Sequence, residues 1–321
     1  MTVRVVVVGT GFGARVVAPA FDSLAGCEVV AVVSAREDVH AAIATRRCDL
    51  VSIHSPPFLH ADHARAAMEF GRALLCDKPC TASATTTAAL LDDAVRSDVL
   101  HLVNFEFRHD PVRRALRELV RGGAIGAVRG VEWTHESNGS TVPLRPHGWL
   151  FDAALGGGWI GAWASHAVDA LRWILDDELE VVETHPRIDI PSRPDRDGVE
   201  RSCTAEDGLR ATLRSRSGIE IRLDSTFAAP EARRPRLAFD GTDGSLVAIG
   251  SRLTLTVAGT ERDVTPATDP SEDPHMLPMR RFAEIVRDRV VAGASQPDDP
   301  TLVDGLAVDR VLEALRARRD G

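Results

Sequence analysis

At 321 residues the chain is too long for one small core and suits two domains, each able to bury a sizeable interior. Hydrophobic residues make up 44% and charged residues 26%, the ordinary balance of a globular protein in water. A formal net charge of −9 argues against nucleic acid as a main partner and fits poorly with anionic membranes, since both favour a basic surface.

Met1, Thr2, Val3 and Arg4 run straight into an apolar strand, too short for a signal peptide, and no apolar run reaches membrane-spanning length. Five cysteines without paired spacing, Cys27, Cys48, Cys76, Cys80 and Cys203, point to reduced thiols in a cytoplasmic protein and to no metal site. There is no tyrosine to act as an acid. Lys78 is the sole lysine, against 37 arginines. Arginine cannot shed its proton near neutral pH, so a lone lysine marks a position where a compact, adjustable donor is needed.

In chain order, residues 3–8 read as a buried parallel strand. Gly9-Thr10-Gly11-Phe12-Gly13-Ala14 follows, then a helix over 14–24 and a strand over 28–33. This strand, glycine turn, helix, strand order is the context that makes the motif a dinucleotide fingerprint. Gly9 allows the tight turn, Gly11 lets backbone approach a pyrophosphate, and Ala14 fills the helix-packing position. The second strand ends at Ser34, where an NAD-preferring fold carries an acid; Ser34 and Arg36 suit a 2′-phosphate instead, which favours NADP with NAD open. A helix over 39–47, a strand over 49–54, a helix over 60–70 and a strand over 73–76 come next. Ser55-Pro56 and Asp77-Lys78-Pro79 therefore stand at strand C-terminal ends, where open α/β sheets bind ligands. A helix over 84–96 and a strand over 100–105 complete a doubly wound α/β domain.

The rhythm then changes. A helix over 111–120, a strand over 126–135, and a glycine-rich turn with a helix over 156–175 precede successive strands near 181, 209–215, 219–227, 235–240, 244–249 and 253–257. These form an α+β domain, with 191–201 read as an exposed loop. Helices over 277–291 and 302–318 close the chain.

The ordered set of motifs resembles the glucose–fructose oxidoreductase/inositol dehydrogenase/MocA family. It rests on the opening G-T-G-F-G-A and on Pro57-Phe58-Leu59-His60 in place of a P-N-x-x-H element. Cys76-Asp77-Lys78-Pro79 stands in place of E-K-P, and Gly156-Gly157-Gly158 is followed by Ser165-His166-Ala167-Val168-Asp169. The resemblance implies a Rossmann domain over 1–105, with the helix over 302–318 packed back on it. It also implies a substrate and oligomerisation domain over 106–298 with a large open, mostly antiparallel sheet. Homodimers or homotetramers through that sheet are implied, as is a small sugar- or polyol-like substrate. Three departures stand out. The stretch from Ser34 to Asp49 is short, as though an edge strand were lost; Asp77 replaces the usual Glu; and the family's acid four residues before the histidine is Ala162.

Lys78 can donate to a substrate oxygen and stabilise developing alkoxide, while His166 suits proton exchange. Asp169, three residues on, is expected to hold helix packing. His60 is expected near the cofactor or in a structural role, with Arg108, His147 and Trp163 as candidate substrate contacts. The leading expectation is an NAD(P)-dependent oxidoreductase acting on a hydroxyl or carbonyl carbon. An imine or conjugated-system reductase, or a non-catalytic dinucleotide-binding regulator or partner subunit, are the alternatives.

Overall fold

β1 (Val3–Val8) is buried at every position but Arg4, as a strand covered on both faces must be. It lies between β2 (Cys27–Val33) and β3 (Leu50–Ile53) in a five-stranded sheet completed by β4 (Ala73–Cys76) and β5 (His101–Val103). The order is β2-β1-β3-β4-β5 and every pair is parallel. The chain moves from β1 to β2 on one side, then crosses to β3 on the other. That reversal is the topological switch point outside which such sheets bind ligands. The short interval after Ser34 holds only α2 (Val39–Thr45), so β2 is the sheet's edge, as the missing excursion implies.

The computed structural model describes residues 1–269 and 271–317. They divide into two units, 1–109 with 271–310, and 110–269 with 311–317. In the first, a π-helical turn (Gly13–Val17) runs into α1 (Ala18–Asp22), and α3 (Pro57–Glu69) and α4 (Ala84–Ser97) complete the crossovers. α3 begins earlier than the expected position 60, because Pro57 suits the first helical turn.

The second unit contains α5 (Pro111–Arg121), β6 (Val128–Glu136), α6 (Ser165–Leu175) and β7 (Leu179–Arg187). β8 (Ser192–Pro194), β9 (Glu200–Ser202), β10 (Gly208–Ser215), β11 (Glu220–Thr226) and β12 (Arg236–Gly241) follow. β13 (Gly244–Ile249), β14 (Arg252–Val257) and β15 (Thr260–Asp263) end the run. The large sheet has the order β15-β14-β13-β12-β6-β11-β10-β7, antiparallel except where β11 meets β6. One of its surfaces carries cross-strand ion pairs such as Arg236–Glu132, Arg222–Glu132 and Arg210–Asp224.

Three expectations change. Residues 191–201 are not a free loop: β8 pairs with β9, and Arg193 is fully buried. Its guanidinium donates to the Ser140 and Arg145 carbonyls and lies 4.2 Å over the Phe151 ring, which gives partners to a charge that composition alone placed in water. Next, α7 (Leu277–Ala292) falls inside the expected second domain, yet Met279, Phe282, Ala283 and Val286 pack against Val3, Val5, Phe21 and Leu24 of the first unit. Lastly, α8 (Leu302–Arg316) belongs to the first unit up to Arg310 and to the second from Val311. Asp309 accepts from Thr87 at 2.7 Å, whereas the Leu315 carbonyl accepts from Thr184 at 2.7 Å. The expected last helical residue, Arg318, lies outside the described residues. Among those described, no helix is long and apolar enough to cross a membrane.

Candidate active site

The glycine turn between β1 and α1 assigns a separate job to each glycine. Gly9 has φ +126°, and a Cβ there would sit 2.4 Å from the His54 carbonyl oxygen. A Cβ on Gly11 would meet nothing within 4 Å, so its backbone is open to a ligand. Gly13 is buried, and a Cβ would press to 3.0 Å on Val7 and His54. The close helix–sheet contact expected at Ala14 thus falls on Gly13, and Ala14 is half-buried. With free amides at a helix start, these residues fit a dinucleotide pyrophosphate.

His54, at the end of β3, links this turn to the lysine. Its ring lies 5.7 Å from that of Phe12. Nε2 meets the Ser52 hydroxyl at 2.7 Å and Nδ1 donates to Asp77 Oδ2 at 3.0 Å. Asp77 Oδ1 accepts from the Lys78 amide at 2.8 Å and from Asn104 at 3.4 Å. Burial works against the Asp77 carboxylate, but His54 and the Lys78 charge outweigh it and hold its pKa at about 2. Asp77 is therefore an ionised anchor one residue before Lys78, which is half-buried and joined to Pro79 by a cis peptide. Ser55 Oγ bonds His63 at 3.0 Å, Pro56 precedes the first turn of α3, and His60 is buried beneath Pro79.

At the end of β2, the Arg36 amide donates to Ser34 Oγ at 3.2 Å, and the exposed Arg36 guanidinium has no ion pair among the described residues. Glu37 folds back so that Oε1 accepts from the Ser34 amide at 2.9 Å. An acid therefore does stand at the end of β2, supplied from three residues further on.

In the second unit, Gly156-Gly157-Gly158 winds around a buried carboxylate. A Cβ on Gly157 would strike the Trp149 carbonyl at 2.4 Å, and one on Gly158 the Glu206 side chain at 2.2 Å. Glu206 accepts from the Ile160 amide at 3.1 Å, capping a π-helical turn (Ile160–Ala164) that continues into α6. Burial pushes the Glu206 pKa up, with Arg316 opposing. His166 is buried in the first turn of α6, and Asp169 is buried one turn on. Ala162 packs with Trp159 against Leu150, Phe151, Cys203 and Phe227, so an apolar cluster fills the surroundings of the position where the family carries its acid. Trp163 is 7% exposed, edge-on to Trp133 at 5.6 Å and stacked with Trp159 at 6.3 Å. His135 lies 5.7 Å from both Trp159 and Trp163, and burial, aided by Arg113, lowers its pKa to about 4. His147 packs 6.2 Å from Phe151, and its Nε2 is buried without a hydrogen-bond partner among the described residues.

Arg108 behaves otherwise than a substrate contact. It is 5% exposed, paired with Asp304 at 3.0 Å, and reaches the Asp298 carbonyl at 3.4 Å, all within the first unit. Among the described residues no cluster of three His, Cys, Asp or Glu could hold a metal. A cavity of about 300 Å³ lined by His185, Pro186, Arg187 and Arg210 opens at the β7–β10 edge. Both its arginines pair with Asp224, which leaves little charge for an anion.

Residues 3–105 match the oxidoreductase family with an NAD-binding Rossmann fold, and residues 113–247 match the GFO/IDH/MocA C-terminal domain. The chain belongs to the Gfo/Idh/MocA oxidoreductase family. Its similarity extends to D-xylose 1-dehydrogenase (NADP(+)) 2 of Haloferax volcanii, 30% identical over 86% of this chain and 79% of that one. Inositol 2-dehydrogenase 1 of Saccharopolyspora erythraea is 26% identical over 100% of this chain and 95% of that protein. In fold, this Gfo/Idh/MocA chain is similar to levoglucosan dehydrogenase solved with NADH and L-sorbose. The TM-score is 0.88 at 21% identity, covering 98% and 96% of the two chains.

Sequence reasoning missed His54, Glu37 and Glu206. His54 had a signal, a polar residue ending an apolar strand beside the glycine turn. Glu37 and Glu206 had none, since each acts by folding back from a loop.

Proposed function

We propose that this Gfo/Idh/MocA protein transfers hydride between a nicotinamide dinucleotide and a hydroxyl- or carbonyl-bearing carbon of a sugar- or polyol-like molecule. When bound, the nicotinamide gives or takes the hydride. Lys78 stabilises negative charge on the substrate oxygen, and His166 exchanges its proton. The observation that carries the reading is the His54–Asp77 pair, which anchors the lysine's backbone at the carboxyl end of β4 by named hydrogen bonds. The dehydrogenase names of the relatives support the substrate class.

NADP(H) is the proposed preferred cofactor, on Ser34 and the unpaired Arg36 guanidinium. Glu37 opposes a 2′-phosphate and narrows the margin. Trp163 and His147 are proposed substrate contacts and Arg108 a structural link. Homodimers or homotetramers are proposed to form through the large sheet. A second reading, reduction of an imine or conjugated system, draws support from Ala162, since such a reaction asks less of a proton relay.

Side-by-side titration with NADP(H) and NAD(H), followed by a panel of sugars, polyols, carbonyls and imines, tests the proposal. Cofactor binding with turnover of a sugar or polyol is the expected result. Tighter NAD(H) binding would refute the cofactor preference, turnover of imines alone would favour the second reading, and binding without any turnover would make the protein a regulator.

A further inference from the structure

His60 stands in the first turn of α3 with 1% of its surface exposed. Its Nε2 lies 2.6 Å from the Ser55 carbonyl oxygen, and its Nδ1 lies 3.1 Å from the carbonyl oxygens of both Pro79 and Cys80. Backbone carbonyls only accept, and a neutral imidazole has a single N–H. In either neutral tautomer the bare nitrogen would aim its lone pair at a buried carbonyl oxygen. His54 differs, because the Ser52 hydroxyl facing its Nε2 can donate or accept. Only the doubly protonated ring gives His60 a donor on each side, and a 2.6 Å contact has the shortness of a charge-assisted bond.

The surroundings agree. Burial opposes the charge, but Cys76, Asp77 and the Ser55 carbonyl outweigh it and lift the His60 pKa to about 9. Asp77, held at about 2, is a fixed counter-charge. Of the other titratable neighbours, Cys80 is a buried thiol pushed upward by its contact with Cys76, and His63 is pushed down by burial and by His60. The Cys76 Sγ lies 3.5 Å from the Asp77 carbonyl and 3.6 Å from that of Cys80, and its contacts with Cys80 and His60 outweigh burial and lower its pKa to about 6, which makes it a second counter-charge to His60.

We propose that His60 is a constitutive imidazolium tying the loop after β3 to the loop after β4, and so a positioning residue for Lys78. The carbonyls it holds belong to the two residues that follow Lys78, while Asp77 fixes the lysine's amide from the other side. The charge state stands by itself; the effect on turnover rests on the oxidoreductase reading above.

Nitrogen-15 spectra of histidine-labelled full-length protein test the charge. One histidine, missing in His60→Gln, is expected to show both ring nitrogens protonated at neutral pH, and Cys76→Ala is expected to keep that signature. A neutral His60 tautomer in the wild type, or one produced by Cys76→Ala, would overturn the proposal. Because Lys78 is the sole lysine, a lysine-labelled sample gives a single side-chain signal. It should move in His60→Gln, or in His60→Asn if the first variant folds poorly, and stay in place in the surface control Asp62→Asn. An unmoved lysine signal in the folded variant overturns the positioning role even if no substrate is turned over. With a substrate in hand, kcat should fall between about tenfold and a hundredfold, with KM and cofactor Kd within about threefold; an unchanged kcat contradicts it.

Discussion

The carboxyl ends of the first sheet and the region around α6 in the second unit use opposite chemistry. Around Lys78 the interior is polar: Ser52, His54, Asp77 and Asn104 form one hydrogen-bonded group, and His60 closes the loops behind it. Around α6 the interior is aromatic, with Trp159, Trp163, Trp133 and Phe227 in ring contact and Ala162 among apolar neighbours. A buried, ionised carboxylate, Asp77, thus stands one residue from Lys78 in the dinucleotide-binding unit. The second unit contributes shape, an imidazole at His166, and a neutral His135. Under the proposed function, Lys78 carries most of the electrostatic task, and His166 works without the acid that the family resemblance places at position 162.

That contrast can be broken at several points. His166→Asn has the largest expected effect, a drop in kcat of about a hundredfold or more from losing proton exchange. Asp169→Asn should cost far less, and equal large losses in both would show that Asp169 replaces the missing acid. Ala162→Asp puts a carboxylate into the apolar cluster and should lower unfolding free energy by about 1–3 kcal/mol by denaturant titration, without raising kcat. A rise in kcat would show that the aromatic region does accept a working acid.

The pH dependence of unfolding sharpens the charge side. The folded pKa of His60 is raised, so its contribution is full below the unfolded value of about 6.5 and is lost as pH rises through about 9. Asp77 runs the other way: its folded pKa is depressed, and its contribution is lost as pH falls through about 2. Stability that stays flat between neutral pH and pH 9 would remove His60 from the account. The smallest expected effect is that of Glu37→Gln, which should shift the ratio of NADP(H) to NAD(H) affinity toward NADP(H) by about fivefold, of the order expected for one partly screened charge.

The first unit was the more legible in sequence for the same reason that it is polar. Gly9, Gly11 and Asp77-Lys78-Pro79 are constrained by backbone geometry and ligand contact, so they fall at fixed offsets from strand ends. The edge position of β2 could be read from the short interval after Ser34. In the second unit most strands announced themselves by alternation, but what surrounds Ala162 did not, because packing partners such as Phe227 and Cys203 come from distant segments. Arg193 shows the limit most clearly. In a charged, proline-bearing stretch it reads as solvated, and the Ser140 and Arg145 carbonyls with the Phe151 ring make its burial possible. Likewise α7 has an apolar face, but a face does not name the sheet it will cover.

Single-turnover hydride transfer in Lys78→Ala and Lys78→Arg, read by nicotinamide absorbance, tests the central claim most directly. The account expects both variants to bind the dinucleotide within about threefold of wild type. Their rates of transfer should fall by about a hundredfold or more, because neither a methyl group nor a planar guanidinium can replace the ammonium at that oxygen. Wild-type rates in Lys78→Ala, or a defect confined to cofactor binding, would contradict it.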